Sequence, residues 1–142
     1  MTSDIPIYEG YTDGASRHTR NIASAAWILY SPTGLLESSG GSFLGHATNN
    51  VAKYSAVIEL LRAAISLGIT GLAVRLDSQL VASQLNGTYR VRHPTLLRLL
   101  LRVRLLEREF VFITYLHVSR NQNTAADELA NYILDWHLSH LH

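Results

Sequence analysis

Three aspartates set the chemistry this chain could do. Asp13 stands before Gly14-Ala15-Ser16, Asp77 ends the run Leu72-Ala73-Val74-Arg75-Leu76-Asp77, and Asp127 sits beside Glu128 near the start of a terminal helical stretch. Carboxylates carried to one place by separate elements of a small α/β domain offer hard oxygen ligands suited to Mg2+ or Mn2+. Two such ions about 4 Å apart serve the in-line hydrolysis of a phosphodiester, one activating water and the other stabilising the leaving oxygen. Each acid also has a plainer reading. Asp before Gly is common turn chemistry, Asp77 can cap the helix that follows it, and Asp127 can oppose the dipole of the last helix. A turn at Gly14-Ala15-Ser16 would leave backbone N–H groups open to a phosphate or a sugar.

The elements that must carry these acids follow from periodicity and punctuation. Stretches rich in β-formers at 5–13, 23–31 and 35–44, separated by turn signals at 14–16 and 31–34, predict an antiparallel meander. From 50 to 67 the apolar stripe is helical, Thr48-Asn49-Asn50 supplies a cap, and Gly68 stands where a helix ends. A buried-type strand at 72–77 leads into a helix near 78–87, a second helix runs from Pro94 to about Glu109, a fifth strand spans 110–118, and a last helix spans 123–140. This order predicts an α/β fold: a five-stranded mixed sheet, its first three strands antiparallel, with helices on both faces.

With 142 residues, 47% hydrophobic and 16% charged, the chain can bury a core of its own and is too apolar for disorder. Its apolar runs are interrupted by Arg and Glu and are too short to cross a bilayer. No repeat, low-complexity tract or linker divides it, so residues 1–142 read as a single domain. The absence of cysteine excludes disulfides, thiolate zinc sites and a cysteine nucleophile. Together with a start that lacks the features of a secretory signal, it predicts an intracellular protein, in cytoplasm or nucleus, that is not secreted. The net charge of +1 means that affinity for nucleic acid must come from local clustering. Arg90, Arg92, Arg98, Arg102, Arg104 and Arg108 supply one such cluster, which can equally be a solvated face near Glu107 and Glu109. The only lysine is Lys53.

Four blocks in order, Tyr-Thr-Asp-Gly-Ala-Ser (11–16), Ala-Thr-Asn-Asn-Val-Ala-Lys-Tyr (47–54), Arg-Leu-Asp-Ser-Gln-Leu-Val (75–81) and His-Val-Ser-Arg-Asn-Gln-Asn-Thr-Ala-Ala-Asp-Glu-Leu-Ala-Asn (117–131), resemble those of type 1 ribonuclease H. They cover nearly the whole chain and look most like the short archaeal forms and the domains of plant LTR retrotransposons. The resemblance implies a ribonuclease H-like fold that cleaves the RNA strand of an RNA–DNA hybrid with two divalent ions, and its likeness to retrotransposon domains implies tethering to a reverse transcriptase in a polyprotein. By the same resemblance, Asp13, Asp77 and Asp127 match three of the family's four metal-binding acids. The remaining position, a Glu in the family, is occupied by Lys53.

That substitution changes the charge balance. Four carboxylates match two divalent ions, whereas three carboxylates and an ammonium sum to −2 and match one, so one Mg2+ or Mn2+ at most is expected. An ammonium ~4 Å from a divalent ion would repel it by roughly 8 kcal/mol at an effective dielectric of 20. Lys53 is therefore expected to pair with Asp13 or Asp77 and to impair hydrolysis. Glu59, six helical positions on, is rotated by about 240° and displaced by about 9 Å, too far to substitute.

The resemblance further implies that Gly14, Ser16, Thr48, Asn49, Asn50, Ser78 and Gln79 contact the hybrid, at its minor groove, its 2′-hydroxyls or a phosphate. His117 and Arg120 precede Asp127 in the segment where the family places a residue assisting proton transfer or product release, and Arg120 is the preferred candidate. His137, His140 and His142 have spacing that could bind stray metal but belong to a fraying end. Trp27 and Trp136 are expected to pack rather than stack on bases. Two other readings stay open: a non-catalytic module that binds hybrid or double-stranded RNA, and a purely structural docking domain.

Overall fold

Alternating β-formers and tight turns build the first third of the chain. In the computed structural model, which describes residues 4–140, β1 (Tyr8–Arg17), β2 (Ile22–Tyr30) and β3 (Leu36–His46) form an antiparallel meander. The remaining elements are α1 (Asn49–Ser66), β4 (Gly71–Leu76), α2 (Gln79–Leu85), α3 (Pro94–Glu107), β5 (Phe112–His117), a short 3-10 turn at Arg120–Gln122, and α4 (Thr124–Ser139). The sheet order is β3-β2-β1-β4-β5, with β4 parallel to both β1 and β5. The expected mixed sheet with three antiparallel strands is therefore present. The chain's opening residues 1–3, where the reading of a missing secretory signal begins, and His142 lie outside the described residues.

Two apolar clusters flank the sheet. Leu29, Val57, Leu60, Leu72, Val81 and Val103 belong to the larger one, which joins α1, α2 and α3 to the strands. Ala15, Ile22, Ala26, Ala130 and Leu134 form the smaller one beneath α4. Small side chains there let α4 approach the sheet closely. α1 ends as anticipated: Gly68 takes φ +77, in the left-handed region open to glycine.

One local expectation fails. Gly14, Ala15 and Ser16 form no turn; they continue β1, paired with Ala25, Ser24 and Ala23, and the reversal comes after Arg17. The glycine answers a packing demand instead. A Cβ at position 14 would lie 2.7 Å from the Ala52 Cβ and 2.9 Å from the Lys53 backbone nitrogen, so only glycine lets the first turn of α1 rest on β1. This contact brings Lys53 over the strand that carries Asp13.

Candidate active site

The parallel pairing of β1 with β4 places the first two acids together. Thr12 lies opposite Leu76 in the register, so the next residues, Asp13 and Asp77, stand side by side at the carboxyl ends of neighbouring parallel strands. That end is where α/β sheets place their sites. His117 closes β5 at the same level, opposite Leu76.

Lys53 reaches into this pair from the first turns of α1. Its Nζ donates to Asp13 Oδ1 at 2.8 Å and lies 3.7 Å from Asp77 Oδ1. All three side chains are largely withdrawn from water, at 15%, 5% and 7% exposure for Lys53, Asp13 and Asp77. Asp13 Oδ1 also accepts the Gly14 N–H at 2.8 Å. Burial pushes the Asp13 carboxyl above its usual range, with the Lys53 charge and hydrogen bond pulling the other way.

Asp77 is not the cap of the helix that follows. Ser78 takes that role, its hydroxyl accepting the Val81 N–H at 3.2 Å, which leaves the Asp77 carboxylate to Lys53 and Asn123. Asn123 is a site residue that sequence reasoning missed. It is 1% exposed, and its Nδ2 donates to the Thr12 carbonyl at 2.9 Å and to Asp77 Oδ2 at 3.3 Å. It thus ties the start of α4 to the strand ends that bear both acids. An asparagine before a helix reads as a cap, yet this one makes no side-chain cap bond.

Asp127 takes up its place in the first turn of α4, where its carboxylate accepts from Asn131 Nδ2 at 3.1 Å. Among the described residues no group of three His, Cys, Asp or Glu side chains is placed to hold a metal ion. The Lys53 ammonium already offsets half the charge of the Asp13–Asp77 pair and takes up the space between them. The residues present therefore do not fit two divalent ions. Glu59 offers no remedy, because it accepts from Ser42 Oγ at 2.5 Å on β3, and burial raises its carboxyl despite that bond.

The expected substrate contacts divide. Thr48 caps α1 by accepting the Val51 N–H at 3.2 Å, and it lines two adjoining clefts. One, of about 140 Å3, gathers Ser16, Thr48 and Asn49; the other, of about 480 Å3, adds Asn50 together with His46 and His93, which sequence reasoning had not singled out. Gly14 is buried and its N–H is given to Asp13, so it offers no donor to a phosphate. Gln79 is exposed at the start of α2, and Ser78 is occupied in capping. His117 and Arg120 are both exposed, the latter on the 3-10 turn before Asn123.

Within the arginine cluster, Arg104 turns inward to Glu107 and to the Leu85 carbonyl, both at 2.7 Å, while Arg98, Arg102 and Arg108 are exposed. Trp27 packs against the larger apolar cluster, as expected. Trp136 does not enter the core; it is 47% exposed and stacks on His140, with ring centroids 4.0 Å apart, and His137 stacks on Phe43.

Comparison with known proteins agrees with this architecture. Residues 11–133 match the family described as reverse transcriptase-like. Ribonuclease HI of Halobacterium salinarum is 42% identical over 125 residues, covering 88% of this chain and 63% of that protein. A bifunctional protein of Mycobacterium tuberculosis is 41% identical over 126 residues, covering 87% of this chain and 34% of its own length. The chain thus spans just under two thirds of one curated relative and about a third of the other. Among solved structures, ribonuclease H1 from the halophilic archaeon superposes with a TM-score of 0.87 at 41% identity, covering 91% of this chain and 98% of that one. A compost-derived ribonuclease H1 in complex with an RNA/DNA hybrid gives a TM-score of 0.87 at 30% identity, covering 92% and 99%. Sequence blocks, strand order and superposition converge: the chain belongs to the type 1 ribonuclease H family.

Proposed function

We propose that this chain is a ribonuclease H domain that binds RNA–DNA hybrids and whose hydrolysis of the RNA strand is impaired by Lys53. The observation that carries the proposal is the ammonium seated between Asp13 and Asp77, at 2.8 and 3.7 Å. The family's metal-dependent hydrolysis relies on negative oxygens left free for Mg2+ or Mn2+, and here two carboxylates share an ammonium of the chain itself. Hybrid recognition is supported by the compost-derived relative, which was solved with an RNA/DNA hybrid. Thr48, Asn49, Asn50, Ser16 and Gln79 are the residues assigned to that contact, and Arg120, ahead of His117, to proton transfer or product release. Tethering to a reverse transcriptase in a retrotransposon polyprotein, within the cell, belongs to the same reading and rests on the resemblance of the sequence blocks. No described helix is long and apolar enough to cross a membrane.

The test is direct. A labelled hybrid is incubated with Mg2+ or Mn2+ and either the natural chain or Lys53→Glu. Cutting restored by the glutamate supports the carboxylate account, and equal turnover by both forms removes it. Binding without cutting by both would favour a non-catalytic module, and no binding by either would favour a structural docking domain.

A further inference from the structure

We infer that Lys53 acts as a resident cation, so that the domain takes up the phosphate backbone of a hybrid without any divalent ion. The inference rests on the hybrid-binding reading above and adds the ionic requirement of that binding. A pair of buried, adjacent carboxylates repels an approaching phosphodiester unless a cation lies between them. Here that cation is covalently part of the chain. Asp13, Asp77 and Lys53 sum to −1, whereas the same positions with Glu at 53 would sum to −3.

The geometry also fixes where the ammonium stays. The Gly14 contact seats the first turn of α1 on β1, so the Lys53 stem begins beside the strand and its tip needs no long excursion to reach Asp13. Asn123 holds Asp77 from the other side, keeping the second carboxylate facing the same centre. The lysine side chain retains 15% exposure, so this centre is not sealed from the surface. A free divalent ion would have to displace this tethered charge, which suffers no loss of translational freedom on binding.

The experiment measures equilibrium binding of a fluorescently labelled RNA–DNA hybrid by anisotropy, at matched ionic strength, with EDTA or with Mg2+. The natural chain is expected to bind equally in both buffers, within about twofold, because matched salt leaves the phosphate screening the same. In EDTA, Lys53→Met is expected to weaken binding by about tenfold and Lys53→Glu by more, as charge is removed and then reversed. Circular dichroism of each variant establishes that it is folded. Natural-chain binding that requires Mg2+ overturns the inference while leaving hybrid binding intact. Absence of binding in either buffer overturns the hybrid-binding reading and this inference with it.

Discussion

Replacing Lys53 by Met keeps the length of the stem and deletes the charge, leaving two buried carboxylates face to face. From the distances of 2.8 and 3.7 Å, the attraction removed is about 6 and about 4.5 kcal/mol at an effective dielectric of 20. Against this stands the ammonium's own desolvation, several kcal/mol for a buried ion, so the expected net loss is about 3 to 5 kcal/mol near pH 8. The loss must depend on pH. Burial already raises the Asp13 carboxyl above its ordinary value of 3.8 in the folded chain, and without Lys53 only the Gly14 N–H bond opposes burial and the Asp77 charge. A carboxyl raised on folding stabilises fully below its unfolded pKa and loses that contribution as pH rises through the folded one. The variant's deficit should therefore shrink steadily from about pH 8 towards about pH 4. Urea unfolding in EDTA, followed by circular dichroism across that range, reads both quantities. A deficit below about 1 kcal/mol at pH 8, or one that does not change with pH, would refute the claim that Lys53 is the counter-charge of this pair.

Three other outcomes follow from the same structure. Gly14→Ala should destabilise by about 2 to 3 kcal/mol, because its Cβ meets α1 backbone rather than a movable side chain, and the urea midpoint would show it. Asn123→Ala should cost about 2 kcal/mol by stranding the buried Thr12 carbonyl and releasing Asp77, again read from unfolding curves; an unchanged midpoint would exclude the bridging role. Glu59→Gln should stabilise at neutral pH by at most about 1 kcal/mol, given its partial exposure, since burial raises this carboxyl and its ionisation opposes folding. That gain should vanish below its ordinary pKa of 4.5, which melting curves at several pH values would follow.

Most elements were legible because their signals are local. The apolar stripe from Val51 to Ile65 and the terminating Gly68 mark α1 within a residue or two, and Pro94 marks the start of α3. The pairing of Asp13 with Asp77 was less accessible, since it needs the parallel register of β1 and β4, but the family-like blocks pointed to it. Gly14 was misread for a physical reason: a glycine needed for close packing and a glycine needed for a turn look the same in one sequence. Asn123 was opaque because its partner, Thr12, lies 111 residues away and no periodicity links them. The bond from Asn131 to Asp127, one turn apart on α4, is equally invisible in the sequence.

The place of β1 in the sheet governs how the molecule must be assembled. The first strand of this domain in chain order is the central one, flanked by a strand that follows immediately and another that arrives only after α1. During synthesis the early meander therefore shows an open edge, ready to pair with any extended chain, until β4 docks. A nascent fragment ending within α1 would carry Asp13 without its neighbour strand. Docking of β4 and creation of the acidic pair are thus one event on the folding route, with β5 still to be added.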